Sequence, residues 1–375
     1  MNKGVKYLLA GLLGCGIGVV IVILSPDQKD GKACGPCATP SNKKEAKVSG
    51  TYGSDLQFLQ KYSDAVSLTD SSGKAVVAVV PKWQGRVMTS SALGAKGPSL
   101  GWINYDFIKG GTVDKHINVF GGEDRLWLGP EGGQFSIFFK KGAAFDLEHW
   151  VTPSVIDTEA YEVVKKSKNS LQMQKQATLE NYSGTTLSVK IDREVKVLEA
   201  DEAIGRLSVK PAKGVSLVAY ESVNKISNVG TNAWTRETGM LSIWMLGMFK
   251  PSQATTIVIP YKPGPEADLG PVVNDTYFGK VPADRLIVAK DVIYFSGDGQ
   301  YRSKIGLSPQ RSMPVAGSYD AASRTLTLVQ YTKPEGATDY VNSMWELQKE
   351  PFKGDVVNSY NDGVPKPGAK PLGPF

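Results

Sequence analysis

The run Leu187-Ser188-Val189-Lys190-Ile191-Asp192-Arg193-Glu194-Val195-Lys196-Val197 alternates apolar and polar residues over eleven positions. A period of two places Leu187, Val189, Ile191, Val195 and Val197 on one face of a strand and the polar residues on the other. Arg193 occupies the apolar register. A guanidinium on a core-type face must either pair with a carboxylate inside a sandwich or line a polar cleft, and both readings stand. Shorter runs repeat the pattern. Phe135, Ile137 and Phe139 alternate with Gln134, Ser136 and Phe138, and Leu326 and Leu328 alternate with Thr325 and Thr327. Val76 to Val80 and Thr255 to Ile259 are rich in β-branched residues and read as fully buried strands. Turn pairs such as Ser72-Gly73, Gly110-Gly111, Ser183-Gly184 and Asp298-Gly299 punctuate the chain. Helical patterns are confined to the neighbourhoods of Asp55–Tyr62 and Asp339–Gln348. The expectation is an all-β sandwich or barrel.

Composition agrees. The 375 residues are 41% hydrophobic and 21% charged, with 40 glycines and 22 prolines spread along the chain. Disorder, collagen and a polytopic membrane protein are excluded. The net charge of +6 is concentrated in the first 50 residues, where seven lysines face three acids. The rest shows no basic stripe, so nucleic acid is not an expected partner. Two histidines, His116 and His149, and three cysteines confined to the first 37 residues leave no His/Cys metal cage in the main body. Ser296-Gly297-Asp298-Gly299 holds one carboxylate, far short of a calcium loop. Neither metal nor cofactor is expected.

The N-terminus reads as a membrane address. Lys3 and Lys6 precede an uncharged run from Leu8 to Leu24, at the short limit for a spanning helix. Positive charge before it predicts export of the body. Two forms of tether compete: an uncleaved anchor helix, or a lipoprotein signal in which Leu12-Leu13-Gly14-Cys15 resembles a lipobox and Cys15 is lipidated. Either places the body outside the cytoplasm, in the periplasm or at the cell surface. Cys34-Gly35-Pro36-Cys37 matches a redox motif in letters but lacks the strand-to-helix context that activates such a thiol. Cys34 and Cys37 read as a small disulfide loop in an oxidising compartment, or as an incidental pair. The organisation is therefore a signal segment at 1–24, a flexible linker at 25–52 and a single β domain at 53–375.

Chemistry concentrates between residues 116 and 139. Gly121-Gly122 and Gly132-Gly133 bracket Glu123, Asp124, Arg125, Trp127 and Glu131. Glycines let backbone approach a ligand. Carboxylates and an arginine around an indole can grip a sugar, with bidentate hydrogen bonds to hydroxyls and an apolar plate for the C–H face. The alternative is a tight loop closed by its own salt bridges.

The phrase Gly121-Gly122-Glu123-Asp124-Arg125-Leu126-Trp127-Leu128-Gly129-Pro130-Glu131 resembles a motif of galactose-mutarotase-like proteins, the aldose 1-epimerase superfamily and its uncharacterised bacterial relatives. Val79–Val87, Asn181-Tyr182-Ser183-Gly184 with the strand after it, Asn228-Val229-Gly230, Trp234, Gly239–Trp244 and Lys304–Leu307 are similar in the same order. Tyr277-Phe278-Gly279 and Gly317–Asp320 resemble a narrower bacterial branch. The resemblance covers most of residues 55–375. It implies a β-supersandwich of large antiparallel sheets with a sugar cleft on its concave face. It also implies acid–base groups there, since ring opening needs a proton given and a proton taken. The superfamily's histidine aligns near Asn224–Asn228, where this chain has none. The resemblance further implies that a glutamate-bearing strand would follow Leu372-Gly373-Pro374-Phe375. Glu131, Glu123, Asp124 and His116 are therefore the candidate catalytic groups. Arg125, Trp127, Gln134, Arg193, Trp234 and Lys304 are the candidate substrate contacts. Three readings follow: a tethered enzyme acting on carbohydrate, a non-catalytic glycan-binding module, and a structural envelope protein.

Overall fold

A computed structural model describes residues 16–26 by their backbone, and residues 50–207, 211–364, 368, 369, 371 and 373–375 in full. Cys15, Cys34 and Cys37 lie outside the described residues, as does most of the expected linker.

The domain opens with a helix, α1 (Tyr52–Tyr62), capped by Thr51, whose side chain accepts the Ser54 N–H at 3.3 Å. Strands β2 (Val66–Thr69), β3 (Val76–Val80) and β4 (Arg86–Ser91) form a three-stranded sheet. All of β3 is buried because both faces of the strand are covered. Val77 and Val79 enter the main core, whereas Val76, Ala78 and Val80 pack with Tyr52 and Leu59 of α1.

The large layer is a ten-stranded antiparallel sheet. One flank holds β6 (Glu162–Lys166), β7 (Ser170–Glu180), β8 (Thr186–Val197) and β9 (Val215–Asn228). The other holds β11 (Thr255–Pro260), β12 (Leu286–Val288), β13 (Val292–Ser296), β15 (Val315–Asp320) and β16 (Thr325–Tyr331). Over these lie two short pairs, β5 (Arg125–Gly129) with β10 (Ser242–Leu246), and β14 (Ser303–Leu307) with β17 (Val357–Asn361). The β8 alternation is realised as the sequence predicts: Leu187, Val189, Ile191, Arg193, Val195 and Val197 are all buried. They meet Val77, Leu126 and Leu128 in one core. A second core joins Ile257, Ile293 and Phe295 to Ile305, Leu307 and Val357 beneath the β14–β17 pair. The molecule is a mostly β, antiparallel sandwich, with its second layer broken into short sheets.

Five details differ from expectation. The expected anchor helix is not seen. Gly16–Pro26 forms a strand, β1, paired along its full length with β9 and with β16 on its other side. Ile17, Val19, Val20, Ile21, Val22 and Ile23 are β-branched and suit a strand filling a sheet. Among the described residues no helix is long and apolar enough to cross a membrane. Residues 135–139 are turns rather than a strand, because Ser136 Oγ binds the Glu131 carbonyl at 2.6 Å and caps the Phe138 N–H at 3.0 Å. Residues 339–348 form an irregular segment pinned on Gly132 and Gln134 rather than a helix. β11 is half-buried and alternating. Helices also form that the sequence reading does not place, among them α2 (Tyr105–Gly110), capped by Asn104, and α3 (Ala200–Leu207), where Arg206 pairs with Glu202 and Glu221. Both follow capping and i,i+4 rules that the strand reading passed over.

Candidate functional site

The glycine–acid segment divides into two environments. Its first half is buried. Arg193 donates from Nε to the Gly85 carbonyl at 3.0 Å, and through its two terminal nitrogens to Asn224 Oδ1 and Asp124 Oδ1. Asp124 Oδ2 also accepts from Ser222 Oγ at 2.7 Å. Both members of the pair are shut off from solvent, with side-chain exposures of 0% and 1%. Arg125 pairs with Asp157 at 2.8 Å, and its guanidinium covers the Trp127 ring at 4.2 Å. Burial lowers the Arg125 pKa to about 10, and Asp157 resists that shift. Glu123 accepts from the Ser90 N–H at 2.8 Å and from Ser90 Oγ at 3.0 Å. Burial raises its pKa to about 7 in spite of those bonds. Gly121 and Gly122 approach the backbone of Trp102 and Val87 so closely that no Cβ would fit. The expected contacts Arg125, Trp127 and Arg193, with Glu123 and Asp124, thus brace the two layers, and neither face of Trp127 is open.

The second half reaches the seam between the two short overlying pairs. After β5 the chain passes through a cis Gly129–Pro130 bond and presents Glu131. Its carboxylate accepts from Trp345 Nε1 at 3.3 Å. Burial raises the Glu131 pKa, while Lys304 and the indoles of Trp345 and Trp150 hold it down. Lys304 projects from β14, its ammonium 4.3 Å from the Tyr277 ring centroid and 5.2 Å from that of Trp244 on β10. Burial lowers the Lys304 pKa, opposed by Glu131 and Asp355. Tyr277 is fixed by its hydroxyl, which donates to Asp355 Oδ2 at 2.6 Å. Gly306 makes room for that carboxylate, since a Cβ there would collide with it. Trp345 stacks on Trp150 at 5.7 Å between ring centroids. A carboxyl group, an ammonium and four aromatic rings therefore meet at one seam, half-buried apart from the buried Trp150.

The remaining candidates stand apart. His116 donates from Nδ1 to the Trp150 carbonyl at 2.5 Å, which makes it a fastener of the loop carrying that indole. Gln134 exchanges two hydrogen bonds with the Gln348 backbone, at 2.9 and 3.0 Å, and so holds the segment bearing Trp345. Trp234 packs half-buried against the main core. Sequence reasoning found Glu131 and Lys304 but passed over Trp150, Trp244, Trp345 and Asp355 as site members. Tyr277 was noticed only within a phrase. Nothing in their spacing announces a site, because they come from five separate segments. Among the described residues no cluster of His, Cys, Asp and Glu could hold a metal ion.

A family of unknown function, DUF6786, matches residues 50–375. The chain belongs to that family. No curated protein matches the sequence. Among solved structures, the family member is similar to a galactose mutarotase-like protein from Lactobacillus casei ATCC 334, at 8% identity and a TM-score of 0.42, covering 79% of this chain and 97% of that one. It is also similar to the Slr1438 protein from Synechocystis sp. PCC 6803, at 13% identity, 0.39, and 80% and 93% coverage. A putative aldose 1-epimerase from Escherichia coli K12 matches at 11% identity, 0.32, and 73% and 92% coverage. These similarities do not bear on what this DUF6786 member does.

Proposed function

We propose that this protein is a tethered, extracytoplasmic carbohydrate-binding protein whose sugar site is the seam between Glu131 and Lys304. The observation that carries the reading is the pairing of a carboxyl and an ammonium, in reach of each other's charge but not bonded, with the rings of Trp244, Trp345 and Tyr277 around them. Polar groups placed sparsely among aromatic plates suit a ligand with hydroxyl edges and a C–H face. Glu131, held toward its neutral acid by burial, is the group equipped to give a proton. Epimerase-like chemistry therefore rests on Glu131, with Lys304 as the charge beside it.

A non-catalytic reading is favoured by one observation. Asn224, in the stretch where the superfamily resemblance places a histidine, is buried and holds Arg193, so that position offers the cleft no acid–base group. For the tether, a strand at Gly16–Pro26 favours lipidation at Cys15 over a helix through Leu24, because those residues cannot lie in a sheet and a bilayer at once. The body would then sit on the outer side of a membrane.

Tryptophan fluorescence tests the site, since Trp150, Trp244 and Trp345 line it. Saturable quenching by a monosaccharide, weakened in Trp345→Ala, is expected; no saturable change across a neutral and acidic sugar panel refutes it. Polarimetry then separates the two readings. An anomerisation rate above buffer that is lost in Glu131→Gln establishes catalysis, and a rate equal to buffer leaves a binding protein.

A further inference from the structure

Lys304 is in an unusual position for a cation. It sits half-buried between two ring faces and makes neither a hydrogen bond nor an ion pair with any described residue. Ring faces attract an ammonium but supply no lone pair, so its three N–H donors keep their need for acceptor oxygens. The nearby carboxyls do not fill that need. Asp355 accepts at Oδ2 from the Tyr277 hydroxyl at 2.6 Å and from Asn274 Nδ2 at 3.4 Å, and acts on Lys304 through its charge without a bond. Glu131 is turned to Trp345.

We infer, resting on the carbohydrate reading, that the seam selects a sugar bearing an anionic substituent, a carboxylate or a sulfate ester, which Lys304 binds directly. A charged oxygen gives a shorter and roughly twofold stronger hydrogen bond to an ammonium than a hydroxyl does. It also neutralises a cation that has lost much of its water. Glu131 opposes an incoming anion less than a solvated carboxylate would. Its burial favours the neutral acid, which can itself donate to the incoming oxygens. The same seam leaves Trp244 and Trp345 to cover the ring of the sugar.

The experiment is calorimetric titration of the full chain with D-glucuronate, D-glucose 6-sulfate and D-glucose, and with the three galacto counterparts. The expected result is at least tenfold tighter binding of an acidic sugar than of its neutral counterpart. The gap should shrink in high salt, be abolished in Lys304→Met and be retained in Lys304→Arg. A preference for the carboxylate over the sulfate, or the reverse, identifies the substituent and supports the inference equally. Equal binding of acidic and neutral sugars by the wild-type chain overturns this inference alone, whatever the variants do. Binding of no sugar overturns the carbohydrate reading and this inference with it.

Discussion

The Asp124–Arg193 pair offers a sharp test of whether the acid-rich segment braces the sandwich or serves a ligand. Asp124→Asn keeps the shape but leaves the Arg193 guanidinium at 0% exposure without a counter-charge. Breaking a fully buried ion pair from one side costs about 3–5 kcal/mol. For a domain whose total stability is on the order of 5–15 kcal/mol, that is a large fraction. Replacing both partners in Asp124→Leu/Arg193→Met removes the stranded charge. The bonds it removes are to neutral groups, Ser222, Asn224 and the Gly85 carbonyl, and the first two keep their contact with each other. The double variant should recover about 2 kcal/mol or more relative to the sum of Asp124→Leu and Arg193→Met measured singly. Urea unfolding followed by tryptophan fluorescence gives each value. If Asp124→Asn costs under about 1 kcal/mol and the cycle is additive, the pair is solvated. The two residues would then be open to a ligand, as the sequence alone allowed.

Four further outcomes follow. Glu123 has a folded pKa of about 7 against a lower value unfolded, so the unfolded chain releases its proton first as pH rises. Stability should fall by about 3 kcal/mol between roughly pH 4.5 and 7 from this group, and Glu123→Gln should flatten that slope in pH-dependent unfolding. Gly306→Ala should displace Asp355 and release Tyr277, weakening sugar binding about tenfold for a stability cost of about 1–3 kcal/mol; unchanged affinity by titration would contradict that link. Gln134→Ala should loosen the 341–348 segment, which limited proteolysis would detect as faster cleavage there, with cleavage at the wild-type rate counting against the clamp. Cys15→Ser should move the protein from the detergent phase to the aqueous phase on phase separation, whereas continued membrane partition would favour an anchor helix.

What the sequence disclosed, and what it hid, follows from how far apart the cooperating residues lie. The β8 alternation names its own buried face, and the odd arginine in it announces a partner, because a strand's period is local. Which partner Arg193 takes is not local: Asp124 lies 69 residues away. The glycine pairs look like ligand loops, yet Gly121 and Gly122 exist to let backbones touch, and Gly132 admits the Met344 carbonyl. Density of charge beside glycine was therefore a sign of tight packing as much as of chemistry. Glu131 and Lys304 were readable as polar groups inside a resemblance, but their meeting point depends on β5, β10 and β14 converging at one seam. The apolar run after Cys15 shows the same ambiguity. Its composition suits either a membrane or the inside of a sheet, and in the structure Gly16–Pro26 pairs with β9 and β16.

The most direct test of the central claim is a crystal structure of the domain soaked with the sugar that binds most tightly in titration. The expected result is a pyranose ring at the seam, its oxygens within hydrogen-bond distance of Glu131 and Lys304 and a face against Trp244 or Trp345. A sugar bound elsewhere, with the seam unchanged and empty, would contradict it.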